Sequence, residues 1–152
     1  MLIEIRHIYT NNVLYACEAE NMRAAVIEAV GKQADLRGAN LREADLGYFK
    51  SDFFDTLLRA PKEIDGLRNA LVEGKVNGSQ YQGACACLKG TIANIRQCNY
   101  AELGSGLVVD AGLPAEQWFL MIKEGDTPET NQASKFAIEW IDEFKMLLEA
   151  AK

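Results

Sequence analysis

The chain has 152 residues, 49% of them hydrophobic and 25% charged, which is the balance of one folded domain with a proper core. Its formal net charge of -6 argues against a general nucleic-acid-binding surface, which needs clustered Lys and Arg. No apolar run approaches the ~20 residues of a membrane span, and Glu4 interrupts the first apolar run where a secretory signal would stay apolar, so a cytoplasmic protein without nucleic-acid or membrane partners is expected.

The N-terminal stretch alternates. Ile3, Ile5, His7 and Tyr9 fall on one face, and Leu2, Glu4, Arg6 and Ile8 on the other, which predicts a strand. Asn11-Asn12 suits a turn because Asn tolerates positive φ, and Val13 to Cys17 resumes as a second strand. The two read as a β-hairpin. His7, the single histidine, lies on the more apolar face and is expected to be packed and hydrogen-bonded rather than a catalytic base. A helix follows over Met22 to Val30, with Met22, Ala25, Val26, Ala29 and Val30 as its stripe, Asn21 as its start and Gly31 as its end.

Residues 34 to 46 then read ADLRG ANLRE ADL, with Ala every five residues and Leu two places after each Ala. Neither helix nor strand has that period. A short fixed period predicts stacked units, with Ala and Leu turned inward and Asp or Asn bonding nearby amides in turns. The units Ala34–Gly38, Ala39–Glu43 and Ala44–Tyr48 resemble the pentapeptide-repeat family, and after Phe49-Lys50 the segment Ser51–Asp55 makes a fourth. That resemblance implies about one coil of a four-sided β-helix over residues 34–55, with Leu36, Leu41 and Leu46 buried and Arg37 and Arg42 exposed. One coil cannot bury its own core, so flanking elements must cap it. The expected architecture is α+β in a single domain, 1–152. Hairpin plus helix occupy 1–33, the coil 34–55, and a mainly helical part 56–152.

Beyond the repeat, Pro61 can start a helix whose stripe is Ile64, Leu67 and Leu71 and whose stop is Gly74. Val76 to Gly83 is a polar, Gly-containing loop before a helix over Ala84 to Gln97, weakened by Gly90. Asn99 to Leu113 is Gly-rich, with Leu107-Val108-Val109 as a short strand. Pro114 to Ile122 is helical, and Gly125 ends it. Thr127 and Pro128 are expected to cap and open the last helix. Its stripe is Ala133, Phe136, Ala137, Trp140, Ile141, Phe144, Leu147 and Leu148.

Four cysteines, Cys17, Cys85, Cys87 and Cys98, read as free thiols, and with no C-x-x-C pair and one histidine neither a metal site nor a cofactor is expected. Gln82-Gly83-Ala84-Cys85-Ala86-Cys87 places two thiols at a predicted helix start, where amides and the helix dipole favour a thiolate. It superficially resembles the cysteine-protease pattern in which Gln and Gly precede the nucleophile. Against that, a thiol protease needs a downstream histidine, and His7 lies upstream. Cys85, Leu88, Ile92, Ile95 and Cys98 share an apolar face, whereas Cys87 lies with Thr91 and Asn94 on a more polar one, which makes Cys87 the better exposed candidate nucleophile and Cys85 the second. The candidate binding residues are Tyr81, Gln82, Cys87, Thr91, Asp126 and Thr127. Asp126 and Thr127 belong to a nine-residue polar stretch, Glu124–Gln132. From Glu124 to Lys152 there are seven acidic and three basic residues, a face for solvent or for a basic partner.

Taken together, hairpin, helix, pentapeptides, Gly78–Leu88 and Glu124–Thr130 resemble a group of pentapeptide-containing proteins of bacteriophages and prophages. That resemblance implies no activity or catalytic residues. It implies a non-enzymatic accessory protein that binds a host protein, including as an inhibitor of a defence system. The acidic, DNA-imitating rod of some pentapeptide-repeat proteins does not transfer, because one coil is too short. The alternatives are a small enzyme or ligand-binding protein built on Gln82–Cys87, recognisable by a deep cleft lined by Gln82, Cys87, Thr91 and Asp126, and a plain structural subunit.

Overall fold

The computed structural model describes residues 1–104 and 106–152. It is a mixed α and β structure that divides into two compact units, Met1–Tyr48 and Phe49–Lys152. Among the described residues no helix is long and apolar enough to cross a membrane.

In the first unit β1 (Leu2–Arg6) and β2 (Val13–Glu18) form the expected antiparallel hairpin, with Ile3 opposite Cys17 and Ile5 opposite Tyr15. A bulge leaves Leu14 without an opposite residue, because Arg6 pairs with Val13. Asn11 takes the left-handed conformation that the turn requires, with φ 62°. His7 organises this turn. Its Nδ1 accepts from the amides of Tyr9 at 3.1 Å and Thr10 at 3.2 Å, so the neutral ring carries its proton on Nε2. The ring also lies against Gly38, where a Cβ would overlap it. It is a half-buried, hydrogen-bonded histidine, as its apolar face predicts.

Helix α1 (Met22–Gly31) buries Ala25, Val26, Ala29 and Val30, and Asn21 caps it by accepting from Ala24 N at 2.9 Å. Gly31 is its last residue and Lys32 its C-cap, but the left-handed residue that closes it is Gln33, at φ 59°, held by Gln33 N to Val30 O and Ala34 N to Ala29 O. That paired closure fixes the αL residue two places past the glycine.

The five-residue period is real as hydrogen bonding. Ala39 N donates to Leu36 O and Ala44 N to Leu41 O, both at 3.0 Å, and five residues apart Asp35 Oδ1 accepts from Arg37 N and Asn40 Oδ1 from Arg42 N. Leu36 is buried and Arg37 and Arg42 exposed, as the repeat implies, but Leu41 and Leu46 are only half-buried. No β-helical coil forms. A short 3-10 turn at Arg42–Ala44 and a left-handed Asp45 lead into α2 (Gly47–Arg59), so the expected fourth unit, Ser51–Asp55, is helical. The cause is the stripe of Phe49, Phe53, Thr56 and Leu57, all buried, which repeats at helical spacing.

The second unit contains the rest of α2, a 3-10 turn at Pro61–Glu63, α3 (Ile64–Val72), α4 (Leu88–Arg96), a 3-10 turn at Tyr100–Glu102, α5 (Pro114–Phe119) and α6 (Gln132–Ala150). Ile64, Leu67 and Leu71 are buried as expected, and Gly74 leaves α3 with φ 71°. The core is aromatic. Trp118 packs against Trp140 at 4.9 Å, Phe49 at 5.2 Å and Phe136 edge-on at 5.8 Å, and its buried Nε1 donates to Ala133 O at 3.0 Å. Arg68 holds Asp142 through two hydrogen bonds, joining α3 to α6.

Three further expectations are corrected. Leu107–Val109 is not a strand: Leu107 is buried and Val108 exposed in irregular chain, and Ser105 lies outside the described residues. Helix α6 starts at Gln132 under an Asn131 cap, because Asn131 Oδ1 accepts from Ser134 N at 2.9 Å, while Thr127 and Pro128 sit in a preceding turn. Leu147 of the predicted stripe is exposed, whereas Ala133, Ala137, Trp140, Ile141 and Phe144 are buried.

Two stability measurements follow from this packing. In urea unfolding, Leu36→Ala is expected to cost ~2–5 kcal/mol and Leu41→Ala clearly less, because only Leu36 is fully buried; equal losses would contradict the burial pattern. At Gly90 a Cβ would overlap the carbonyl oxygen of Tyr81, so Gly90→Ala should cost about 2–3 kcal/mol. Gly31→Ala, at the last residue of α1 with open space around it, should instead gain up to about 0.5–1 kcal/mol.

Candidate functional site

The predicted site centres on the loop and helix start around Cys87. Val76 bridges Ala86, Asn77 N donates to Ala86 O at 2.9 Å, Gly78 N to Ile122 O at 2.9 Å and Cys87 N to Gln80 O at 2.6 Å. The bonds to Ala86 and Cys87 keep these two residues out of helical conformation, so α4 starts at Leu88 and not at Ala84. Cys85 therefore precedes the helix and is half-buried, and Cys87 is the N-cap residue. Its Sγ accepts from Gly90 N at 3.4 Å.

Cys87 is 1% exposed, which reverses the expectation that it is the more accessible thiol. Thr91 is buried too and donates to Ala86 O at 3.0 Å. The amphipathic argument fails because Leu88 to Ala93 are buried consecutively, so this end of α4 has no polar face. Cys87 and Thr91 are both closed off from solvent, at 1% and 3% exposure.

Two charged residues that the sequence reading missed complete the arrangement. Glu116, in the first turn of α5, is 2% exposed; its Oε1 accepts from Leu88 N at 2.9 Å, and its carboxylate also faces the Cys87 thiol. Lys89 is fully buried and its charge favours the Glu116 carboxylate. Burial raises the pKa of Glu116 despite that cation. Burial, reinforced by the Glu116 charge, pushes the Cys87 thiol up to about 12. The Cys85 thiol is raised as well, by burial and then by Glu124. A helix start normally lowers a thiol pKa, but here desolvation and a carboxylate outweigh it. The only sequence sign of Glu116 is Pro114-Ala115-Glu116 at a helix start; Lys89 carries no sign at all.

The remaining candidates lie apart in role. Tyr81 and Gln82 are exposed, with the Tyr81 ring 5.8 Å from that of Tyr100. Asp126 Oδ2 accepts from Lys123 N and from Asn131 Nδ2, both at 2.9 Å, and Thr127 N donates to Thr130 Oγ1 at 2.9 Å. These bonds close the turn before α6. Among the described residues no hydrogen bond joins Asp126 or Thr127 to Tyr81, Gln82, Cys87 or Thr91. No group of three or more His, Cys, Asp and Glu among the described residues could hold a metal ion. The arrangement around Cys87 satisfies buried backbone and keeps a thiol protonated.

The raised thiol has a pH signature. Its folded pKa lies above the ordinary value of 9.0, so it contributes stability that is fully present below about 9 and is lost as pH rises toward about 12. The stability difference between wild type and Cys87→Ala is therefore expected to shrink between pH 8 and pH ~10.5, measured by urea unfolding. A constant difference would mean that the thiol ionises as easily in the folded chain as in the unfolded one. No family model, curated protein or solved structure matches this chain.

Proposed function

We propose that this is a non-enzymatic binding protein of the phage accessory type, acting in the host cytoplasm on a host protein, including as an inhibitor of a defence system. The observation that carries the binding reading is the hairpin. Near its turn Tyr9 is 89% exposed, Val13 45% and Ile8 44%, and at its other end Leu2 is 60% exposed. Large apolar side chains concentrated on one small element are a common mark of an interaction surface. The rival thiol enzyme loses support from the burial of Cys87 and the raised pKa of both candidate thiols. The recurrent five-residue turns over 34–46 fit the pentapeptide pattern in their hydrogen bonding, although the coil itself does not form, and the phage setting rests on the sequence resemblance alone.

The test is capture from a bacterial lysate on the immobilised chain, followed by titration of the captured protein. Tyr9→Ala combined with Val13→Ser is expected to weaken binding at least ~10-fold, as exposed anchors do, while Cys85→Ser and Cys87→Ala leave it nearly unchanged. Rapid, stoichiometric iodoacetamide labelling of Cys85 or Cys87 in the native protein would contradict this reading and favour a thiol enzyme.

A further inference from the structure

Strand β2 is the outer strand of a two-stranded sheet, and its free edge is unpaired. Its ladder with β1 pairs Ile5 with Tyr15 and Ile3 with Cys17, and continues as Ala19 N to Met1 O at 3.1 Å. In such a ladder the backbone groups of alternate residues point to opposite sides. Those of Tyr15 and Cys17 point to β1, so the N–H and C=O of Ala16 and Glu18 point away from it. Among the described residues nothing bonds these four groups, and both residues are exposed. The other edge of the hairpin differs: Asn40 N donates to Arg6 O and Ile8 N to Gly38 O, both at 2.8 Å, which closes the end of β1.

We infer that the free edge of β2 at Ala16 and Glu18 docks an extended segment of a partner protein, which adds as a third strand. This deepens the binding reading and rests on it. Alternating donors and acceptors at strand spacing are complementary to another strand, and main-chain bonds then supply affinity while alternate side chains supply specificity. Natural edges are usually blunted by Lys or Pro, and Val13–Glu18, VLYACE, has neither. The Glu18 carboxylate already holds the N-terminal ammonium of Met1 at 2.9 Å, and the exposed carboxylate of Glu20 suits a Lys or Arg in the incoming segment. A second copy of this chain fits less well. Each copy carries -6, and the bulge at Leu14 disturbs the two-fold register that strand self-pairing needs, whereas a flexible segment adapts to it.

The probe is a synthetic eight-residue peptide of alternating Val and Thr with Lys at both ends, titrated into the full chain and followed by amide NMR. The amides of Ala16 and Glu18 are expected to shift and to gain exchange protection, with those of Tyr15 and Cys17 unchanged in protection. Ala16→Pro removes the outward N–H while Tyr15 and Cys17 keep their bonds to β1, and once its NMR spectrum shows the hairpin folded its peptide affinity is expected to fall at least ~10-fold. No protection at Ala16 and Glu18 with saturating peptide would overturn the proposal. So would protection that appears without peptide and grows with protein concentration alongside a dimer mass. A lysate partner that binds Ala16→Pro as tightly as wild type would overturn the edge while leaving the binding function standing.

Discussion

A buried helix start is the constraint on which the second unit depends. The first amides of α4 have no intrahelical acceptors, and Leu88 to Gly90 are buried away from solvent. The chain supplies protein acceptors instead: Glu116 Oε1 for Leu88 N and Cys87 Sγ for Gly90 N. Leaving one such donor unpaired in the interior costs ~1–3 kcal/mol, so α5 is held against α4 by a requirement of hydrogen bonding as well as by apolar contact. The same crowding leaves no room for a side chain at Gly90 or Gly78, where a Cβ would overlap backbone of Tyr81 and of Phe119. A cluster that looks reactive in one dimension is thus the seam of the unit.

That seam also sets the chemistry of the thiol. Burial and a neighbouring carboxylate both favour the protonated form of Cys87, so the features that stabilise α4 are those that suppress nucleophilicity. Reactive cysteines need the opposite, an electropositive and accessible surrounding. The first unit, in contrast, keeps its distinctive features outside: exposed Tyr9, Leu2 and Val13, and an unpaired strand edge.

Much of the fold was legible from periodicity. Alternation at Ile3 and Ile5, the Ala25–Val30 stripe with its Asn21 cap, and the Trp140–Phe144 face each matched one element because each is buried on one side only. The period of five was legible as turns and misleading as a coil. Its Ala and Leu positions run out where Phe49 and Phe53 begin, and two aromatic residues at helical spacing bury far more surface than a further turn. The candidate site was the least legible part. A helical wheel assigns faces, yet α4 is buried on every side at its start, so the polar position of Cys87 carried no information about exposure. The Asn131 cap was hidden for a related reason. Thr127-Pro128 has the local signature, but Asn131 Nδ2 also reaches Met121 O at 2.8 Å, a contact between separate turns that no local rule contains.

The most direct test of the central claim is a double-mutant cycle between Cys87→Ala and Glu116→Gln, measured by urea unfolding at neutral pH. If the thiol and the carboxylate form one buried unit that caps α4, their effects are non-additive, with a coupling of ~0.5–3 kcal/mol. Additivity within ~0.3 kcal/mol would contradict the account, because it would mean that the two side chains act independently at the start of the helix.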